Sequence, residues 1–231
     1  MINRYHLILV ALLIGIIGGM VRFNPVVPVF NNQSSPYYHG VRGHNNIALT
    51  FNVAWGSEYI PDLLTTLENN KVKATFFVTG NWVKKNRKLL QEIANSGHEI
   101  GNHGYSHRHP EQLNREELIA LIRNNEELIK NITGKKTRLF APPYGEVNEK
   151  IASTVDSIGY KTIMWSADTI DWQRPEPEII IQRAVNKIED GGIILMHPTE
   201  PTVRALPEII AKLEDRGFNF VTVSRLLEAE E

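Results

Sequence analysis

Short apolar runs alternate with longer amphipathic stretches from Asn46 to the end of the chain. This alternation is typical of parallel β/α units, in which a helix follows each strand and packs against the sheet. About seven units are present, with predicted strands at Ile47–Val53, Ala74–Val78, His98–Gly101, Leu139–Ala141, Thr162–Trp165, Ile193–Met196 and Phe220–Val223. The predicted helices are Tyr59–Asn69, Asn81–Ser96, Arg115–Ile132, Val147–Ile158, Pro177–Glu189, Val203–Arg216 and a short tail from Ser224.

The predicted helices have the faces and ends of helices that cover a sheet. Arg115–Ile132 places Leu118, Leu121 and Ile122 at three- and four-residue spacing, which requires a core on one side. Gly134 follows this helix, and a glycine suits a left-handed C-cap. Seven parallel strands can form either an open doubly wound sheet or a barrel, and periodicity does not separate the two. We favour a closed or nearly closed α/β barrel in a single domain.

Residues 1–22 contain an uncharged apolar run, Leu7–Val21, which Arg4 and Arg22 flank. The run is shorter than the roughly 20 residues that span a bilayer, and a signal-peptidase pattern does not follow it. We expect an uncleaved signal anchor, with a cleaved signal peptide or a buried core helix as alternatives. An anchor with Arg4 in the cytoplasm would export the rest of the chain. Proline and glycine content predicts a linker over residues 23–45, which leaves 46–231 as the folded domain.

Composition and charge narrow the classes of partner and of metal site. The formal net charge is −1, which leaves no basic surface of the kind that nucleic acid requires. The chain has no cysteine, so disulfides, thiolate nucleophiles and thiolate metal ligands are excluded. A metal site in this chain therefore has to use His, Asp, Glu or Asn.

Polar side chains that suit catalysis follow the predicted strands one after another. Because the carboxyl ends of barrel strands open onto one face, one pocket can collect all of these side chains. In chain order they are Asn52 after the first strand, His103 and His107 after the third, Tyr144 after the fourth, Asp168, Asp171 and Trp172 after the fifth, and His197 after the sixth.

Two pairs among these residues suggest specific chemistry. His103 and His107 can place two imidazoles on one divalent cation, as in catalytic zinc sites, although the same spacing also occurs in ordinary loops. Asp171 beside His197 can orient the imidazole and favour its protonated form, which suits a general acid. Asp168 and Asp171 can equally be loop residues that stabilise turns. His109 adjoins the first pair but reads as a solvated loop residue.

Six ordered segments of the chain resemble one known family. These segments are TFNVAWG (50–56), KATFFVTGNWV (73–83), GHEIGNHGYSH (97–107), FAPPYG (140–145), SADTIDW (166–172) and ILMHP (194–198). Together they resemble the polysaccharide deacetylases, the NodB-homology group or carbohydrate esterase family 4, over nearly all of Ile47–Leu227. The opening segment and HPTEPT at 197–202 are most similar to the subgroup of endospore-forming bacteria, which suggests a role in sporulation.

The resemblance implies a distorted (β/α) barrel and a metal-dependent hydrolase that removes acetyl groups from N-acetylated amino sugars. The implied cofactor is zinc or another divalent cation, and the implied partner is an N-acetylated cell-wall glycan, either peptidoglycan or a chitin-like polymer. Matching residue by residue gives His103 and His107 as metal ligands, His197 as general acid, Asp171 as the carboxylate that orients it, Pro143 and Tyr144 as the oxyanion segment, and Trp165, Trp172 and Leu195 as lining of the acetyl and sugar pocket.

Three positions depart from the family pattern. The family's general base corresponds to Asn52, its third metal ligand to Val53, and the arginine that holds the base to Ala141. Asn does not take up a proton at neutral pH and Val does not coordinate metal, so we expect the conventional mechanism to be impaired and zinc to bind weakly or not at all. Asp168 or His109 is a hypothetical replacement ligand, and Asp168 a hypothetical displaced base.

Three functions remain open on these observations. The first is a metal-dependent de-N-acetylase with a degenerate site, supported by the preserved histidines. The second is an inactive glycan-binding or structural protein of the same fold, supported by Asn52, Val53 and Ala141. The third is a different hydrolase on the same barrel, because a fold does not fix a reaction. In each case we expect a protein outside the cytoplasm, anchored to the membrane by the N-terminal segment or secreted.

Overall fold

The computed structural model of the chain describes residues 35–228. These residues belong to one compact unit, Gln33–Glu231. The predicted anchor at 1–22 and the first part of the predicted linker lie outside the described residues. Over 35–228 we find no helix with the length and apolar character of a membrane span.

Eight short strands, all paired in parallel, form the sheet within residues 35–228. They are β1 (Asn46–Val53), β2 (Thr75–Val78), β3 (Glu99–Asn102), β4 (Leu139–Phe140), β5 (Lys161–Thr162), β6 (Ala167–Asp168), β7 (Ile193–Met196) and β8 (Asn219–Phe220). The order across the sheet is β5-β4-β3-β2-β1-β7-β6, with β8 paired to β1. The sheet curls into a half-barrel, which confirms the predicted distorted (β/α) barrel.

The central strand β1 explains why the sheet is stable. Seven of its eight residues are buried, because β1 has β2 and β7 as neighbours and helices cover the sheet. Burial along nearly the whole length of a strand is typical of parallel sheets that are covered on both faces. The side chains of Phe51 and Phe76 stack with ring centroids 4.9 Å apart and join the main hydrophobic cluster. β1 therefore holds its C-terminal residues, Asn52 and Val53, in a rigid setting.

Eight α-helices surround the sheet in the part of the chain that the structure describes. They are α1 (Ile60–Asn69), α2 (Gly80–Lys85), α3 (Arg87–Asn95), α4 (Arg115–Thr133), α5 (Glu149–Ser157), α6 (Pro177–Lys187), α7 (Glu200–Asp215) and α8 (Val223–Leu227). A capping box between Asn114 and Glu117 begins α4. Gly134 ends α4 in the left-handed conformation, which confirms the C-cap predicted at this glycine.

Three predicted elements differ from the structure. The predicted helix Asn81–Ser96 is two helices, because Asn86 leaves helical geometry (φ −129°, ψ 41°) and separates α2 from α3. The predicted strand Thr162–Trp165 is replaced by β5 and β6, which lie at opposite ends of the sheet. Phe220–Val223 forms only the end of β8, because Val223 already begins α8.

Residues 37–41, which the sequence assigned to the linker, pair with the barrel. Tyr37 bridges Ile163 and His39 bridges Gly192, and the Val41 N–H donates to the carbonyl of Leu226 at 2.9 Å. These backbone bonds bring the segment into the folded unit ahead of Asn46. Composition does not reveal these hydrogen bonds because they use main-chain N–H and C=O groups. These groups are the same in every residue, except that proline lacks the N–H.

Candidate functional site

A pocket of about 580 Å³ opens at the carboxyl ends of the strands. Its volume lies within the range of small-molecule sites. The structure brings nine of the predicted site residues to its wall and adds three that were not predicted. The lining residues are Asn52, Ala54, Trp55, His103, His107, Tyr144, Gly145, Trp165, Asp168, Trp172, Leu195 and His197.

Pro143 and Asp171 are the two predicted site residues outside this lining. Pro143 is buried at the start of the short helix Pro143–Gly145, where it positions Tyr144. Asp171 is fully buried behind His197, and one of its carboxylate oxygens lies 2.8 Å from the Nδ1 atom of His197. Both residues therefore act through a neighbour that does line the pocket.

The carboxylate of Asp171 accepts hydrogen bonds from three donors. Besides the His197 ring, these donors are the backbone N–H of His197 at 2.7 Å and the hydroxyl of Thr202 at 2.6 Å. Because both carboxylate oxygens are hydrogen-bonded and shielded from water, Asp171 remains the acceptor that fixes the His197 ring. Nδ1 faces Asp171, which leaves Nε2 as the ring nitrogen available to the pocket. The role of Thr202 was not predicted, because it comes from the first turn of α7 rather than from a strand end.

His103 and His107 lie together, with ring centroids 4.9 Å apart. The Nδ1 atom of His103 lies 2.7 Å from the carbonyl of Ala141; a carbonyl only accepts, so Nδ1 carries the proton and the lone pair is on Nε2. Burial, together with the neighbouring His107, lowers the pKa of His103 to about 3. Burial also lowers the pKa of His107. Two neutral imidazoles with one nitrogen fixed by a backbone carbonyl are a suitable pair of metal ligands.

No third metal ligand accompanies the two histidines among the residues that the structure describes. Val53 is fully buried in the main hydrophobic cluster and offers no donor atom. Within residues 35–228 no three His, Asp or Glu side chains are grouped closely enough to hold a metal ion. The residues present therefore do not fit the zinc site of the family, which requires a carboxylate beside the two histidines.

Neither residue suggested as a replacement ligand joins the histidine pair. Asp168 lines the pocket, but its Oδ1 accepts the backbone N–H of Ile170 at 2.8 Å. The ring of His109 stacks on Tyr144 with centroids 3.8 Å apart, and its Nδ1 is bonded to Glu146. Within residues 35–228 neither side chain is grouped with the two histidines closely enough to hold a metal ion. Asp168 is bonded within its own loop, and His109 contacts the loop after β4. A ligand role for either residue stays a prediction.

Asn52 occupies the position of the family's general base and is 6% exposed. Its Oδ1 is buried without a hydrogen-bond partner among the described residues. Ala141, where the family has arginine, is buried in an apolar cluster with Leu139 and Ile163. No cation is thus available from position 141 for a carboxylate at position 52, and the neutral amide avoids a buried unpaired charge.

Three exposed aromatic side chains surround the mouth of the pocket. Tyr144 is 57% exposed, Trp172 is 54% exposed and Trp55 is 39% exposed. The Trp55 ring lies parallel to the ring of His197, with centroids 6.1 Å apart. Exposed apolar side chains that are grouped together often mark a binding site, and these three rings provide flat apolar faces for stacking. Trp55 lies in the segment TFNVAWG (50–56) but was not assigned to the site from the sequence. A Trp directly after a predicted strand is the signal that would have found it.

Gly56 holds the Trp55 turn against the general-acid side of the pocket. It adopts φ +75°, and a Cβ at this position would lie 2.1 Å from the carbonyl oxygen of Pro198. Only glycine allows both the left-handed backbone and this close approach. The loop after β1 is consequently packed on the loop after β7, which keeps Trp55 beside His197.

Comparison with known proteins agrees with this site. The family model described as polysaccharide deacetylase matches residues 39–163, more than half of the chain. The chain is 39% identical over 204 residues to the uncharacterized protein YlxY of Bacillus subtilis, covering 88% of this chain and 64% of YlxY. It thus spans a little less than two thirds of the length of that relative. It is also 32% identical to a peptidoglycan-N-acetylglucosamine deacetylase of Bacillus cereus, over 83% of this chain and 71% of the enzyme.

A solved structure shares both the fold and much of the sequence. BA3943 from Bacillus anthracis, described as a CE4 family pseudoenzyme, superposes with a TM-score of 0.82 at 40% identity, covering 84% of this chain and 69% of that protein. A BA3943 mutant described as having restored enzymatic activity matches with the same TM-score at 38% identity, over 84% of this chain and 72% of the mutant. Given the matched family model and relatives above 30% identity over most of its length, this chain belongs to the polysaccharide deacetylase family.

Proposed function

We propose that this chain binds N-acetylated cell-wall glycan in the pocket without efficient deacetylation. The observation that carries the proposal is the contrast within one site: the aromatic mouth and the general-acid pair are intact, while Asn52, Val53 and Ala141 replace the base, the third ligand and the arginine. Loss of a positioned general base lowers a rate by roughly 10²- to 10⁴-fold. Stacking on aromatic faces needs none of the missing groups.

Two relatives support the proposed glycan ligand and the proposed lack of efficient deacetylation. The Bacillus cereus relative is named for N-acetylglucosamine of peptidoglycan, which makes peptidoglycan the first glycan to test and chitin oligomers the convenient soluble probe. BA3943 is described as a pseudoenzyme, and it shares 40% of its residues with this chain over the aligned region. Family membership alone does not decide the reaction, so the site geometry remains the main support.

The metal proposal follows from the same site. His103 and His107 supply two nitrogen ligands, and a zinc ion bound by them alone would keep its remaining positions for water or anions. We propose that zinc binds weakly and that glycan binding does not depend on it. Elemental analysis of bound zinc, compared between the unmodified chain and His103→Ala, tests this: tightly held, stoichiometric zinc that is lost in the variant would contradict it.

We also propose that the folded domain acts outside the cytoplasm, tethered by residues 1–22 at the membrane. The support is the uncharged run Leu7–Val21 and the cell-wall ligand, and the similarity to proteins of endospore-forming bacteria extends the proposal to sporulation. Protease accessibility on intact cells tests the location, because a cytoplasmic domain would be protected.

A second candidate function is slow deacetylation. The paired His197 and Asp171, at 2.8 Å, favour it because a binding protein has no need for a positioned general acid. Both functions predict glycan binding, but only slow deacetylation predicts the release of acetate.

Acetate release from N-acetylglucosamine oligomers and from peptidoglycan, with and without added Zn²⁺, separates the two functions. We expect saturable glycan binding by the purified chain with no acetate above background. Acetate that disappears in His197→Ala would establish the slow enzyme instead. Absence of binding to either glycan would reject the proposed function.

A further inference from the structure

We infer that a cationic surface beside the pocket binds the carboxylates of the peptide stems that peptidoglycan carries. This α2–α3 surface consists of four exposed side chains where the two helices meet: Lys84, Lys85, Arg87 and Lys88. The inference rests on the proposed function, because it assumes that a glycan occupies the pocket. It goes further by assigning a second contact area, outside the pocket, to acidic groups that chitin-like polymers do not carry.

The cations of the α2–α3 surface have no anionic partner in the part of the chain that the structure describes. None of the four takes part in an ion pair there. The Nζ atom of Lys84 lies over the ring of Tyr105, 5.8 Å from its centroid. The whole chain has 25 Lys and Arg against 26 Asp and Glu, so its balanced total charge does not reveal this local excess. The four charges are therefore available to an anion from outside the chain.

Helix stability accounts for two of these cations but not for the other two. Lys84 and Lys85 lie in the last turn of α2, where the helix dipole favours positive charge. Arg87 and Lys88 lie in the first turn of α3, which has no acidic residue, and the dipole disfavours positive charge there. Repulsion between the neighbouring cations adds to this cost. Positions at which a sequence departs from such local preferences are expected at functional sites.

α2 holds the cationic surface beside the pocket through two of the loops that form the pocket wall. The backbone N–H groups of Gly80 and Asn81 donate, at 3.1 and 2.8 Å, to carbonyls in the loop that carries the two pocket histidines. The indole N–H of the buried Trp82 donates to the hydroxyl of Ser57 at 2.9 Å, in the turn after β1. The first turn of α2 is thus fixed to the rim, and the cations follow directly after it.

A peptide stem is long enough to reach the α2–α3 surface from a sugar at the pocket. α2 has six residues, and at about 1.5 Å per residue its last turn lies within about 9 Å of the loop that its first residue contacts. An extended stem of about four residues spans about 13 Å. The carboxylates of the stem can therefore meet the lysine and arginine side chains while the glycan remains in the pocket.

The link to the pocket makes these individually weak ion pairs effective. An exposed ion pair contributes little by itself, but a stem on a glycan that is already bound meets the cations at a high effective concentration. We expect the stems to increase affinity by severalfold to about tenfold. The gain should disappear at about 1 M salt, where the Debye length is only about 3 Å.

Titration calorimetry with three soluble ligands tests the inference on the purified chain. The ligands are peptidoglycan strands with intact stems, the same strands with their carboxylates converted to neutral amides, and tetra-N-acetylchitotetraose. At low salt the intact strands should bind more tightly than the amidated strands by the factor given above, and at about 1 M salt the two should bind alike. Equal affinities at low salt would overturn the inference and leave the proposed function standing. Binding of none of the three ligands would overturn both.

Removal of the four charges assigns the effect to the α2–α3 surface. The variant that combines Lys84→Gln, Lys85→Gln, Arg87→Gln and Lys88→Gln should bind intact strands only as tightly as amidated strands. Its affinity for the uncharged chitin oligomer should not change, which also shows that the variant is folded. An undiminished preference for intact strands in this variant would reject the α2–α3 surface as the binding site.

A matched control removes the same number of charges at the opposite end of the barrel. It combines Lys130→Gln, Lys135→Gln, Arg138→Gln and Lys187→Gln. These four residues are exposed and lie at the helix ends and loops that lead into β4 and β7, on the side of the strands away from the pocket. The control should keep the preference for intact strands. Equal losses in the two variants would mean that net charge, rather than this surface, attracts the stems.

Polyglutamate separates stem recognition from a general attraction of polyanions. It carries carboxylates but no sugar, so it lacks the contact with the pocket and should bind much more weakly than the intact strands. Binding of polyglutamate as tight as that of the intact strands would make the surface a general polyanion site and would contradict the inference.

Discussion

Asn52, Val53 and Ala141 depend on one another physically. A carboxylate at position 52 would be nearly buried, and the Oδ1 of the residue now there has no donor within reach among the described residues. An arginine at position 141 would enter an apolar cluster, where it needs that carboxylate as a partner. The three neutral residues therefore form a consistent set that leaves no buried charge without a partner.

Val53→Asp should destabilise the protein without metal and make its stability respond to zinc. The new carboxylate would be buried in the main hydrophobic cluster, which we expect to cost several kcal/mol unless a cation joins it. With His103 and His107 it would complete the three-ligand set, so saturating zinc should recover part of the loss by mass action.

Thermal melting with Zn²⁺ or with a chelator measures both effects, and Val53→Ala is the control. Val53→Ala should also lower the melting temperature, because it leaves a cavity, but it should show no response to zinc. A melting temperature of Val53→Asp that does not change between zinc and chelator would contradict the prediction.

Asp171→Asn should lower the free energy of unfolding by about 1–3 kcal/mol, because three donors lose a charged acceptor inside the protein. Urea unfolding measures the change. Thr202→Val removes only one of the three donors and should cost less. If Thr202→Val proved as costly as Asp171→Asn, the carboxylate would not be the centre of this network.

At the scale of elements, the turn that connects β1 to α1 shapes the site. Gly56→Ala should be strongly destabilising and should weaken glycan binding, because a Cβ would lie 2.1 Å from the Pro198 carbonyl oxygen and would push the Trp55 turn off the β7 loop. Gly134→Ala is a matched control: its φ is +71° and no atom lies within 4 Å of its Cβ position.

Gly134→Ala introduces the strain of a left-handed alanine without a steric clash, so it separates the two effects that Gly56→Ala combines. Gly134→Ala should cost only the roughly 1–2 kcal/mol of a left-handed alanine and should leave glycan affinity unchanged. Urea midpoints and titration calorimetry on both variants check the comparison. Equal losses of stability in the two variants would mean that the contact with Pro198 is unimportant.

The sequence predicted the barrel because period and length separate strands from helices along most of the chain. The prediction was wrong where the hydrophobic pattern of a segment does not match its strand pairing in the folded protein. Thr162–Trp165 is apolar enough for one strand, yet β5 and β6 pair with strands at opposite ends of the sheet. The break at Asn86 depends on how α2 and α3 pack, which a continuous helical pattern does not show.

The site was largely predictable because its residues follow strand ends, and strand ends in a barrel converge. His103, His107 and His197 were placed correctly in one pocket. The missed contributors, Trp55 and Thr202, act through a ring stack and a helix-to-loop hydrogen bond, which depend on side-chain orientation. The suggested ligand role of Asp168 also depends on side-chain orientation: its Oδ1 is bonded within its own loop, and the role stays a prediction.

At the scale of the whole molecule, stability should decrease as the pH falls from about 6.5 toward about 4. Burial, with Lys73 adding repulsion, lowers the pKa of His98 from 6.5 to about 4. The unfolded chain therefore binds more protons than the folded chain within this window. The free energy of unfolding consequently decreases as the pH is lowered. His103, with its pKa lowered to about 3, contributes in the same direction over a wider window.

Urea unfolding at about pH 7, above this window, and at about pH 5, inside it, measures the dependence. The Nδ1 atom of His98 accepts the Ala74 N–H at 3.2 Å, and His98→Gln can retain an acceptor there. The variant should show a shallower loss of stability between the two pH values. A pH dependence equal to that of the unmodified chain would assign the effect to other groups.

The neutral pair of Asn52 and Ala141 also limits how the protein can change over time. Asn52→Asp by itself would create a buried acid without a cation, and Ala141→Arg by itself a buried cation without an acid. Each single substitution is therefore expected to be less stable than the present state, and the two together to cost less than the sum of their separate effects. A carboxylate at position 52 is therefore expected only together with a cation at position 141, because selection for a folded protein would remove either change alone.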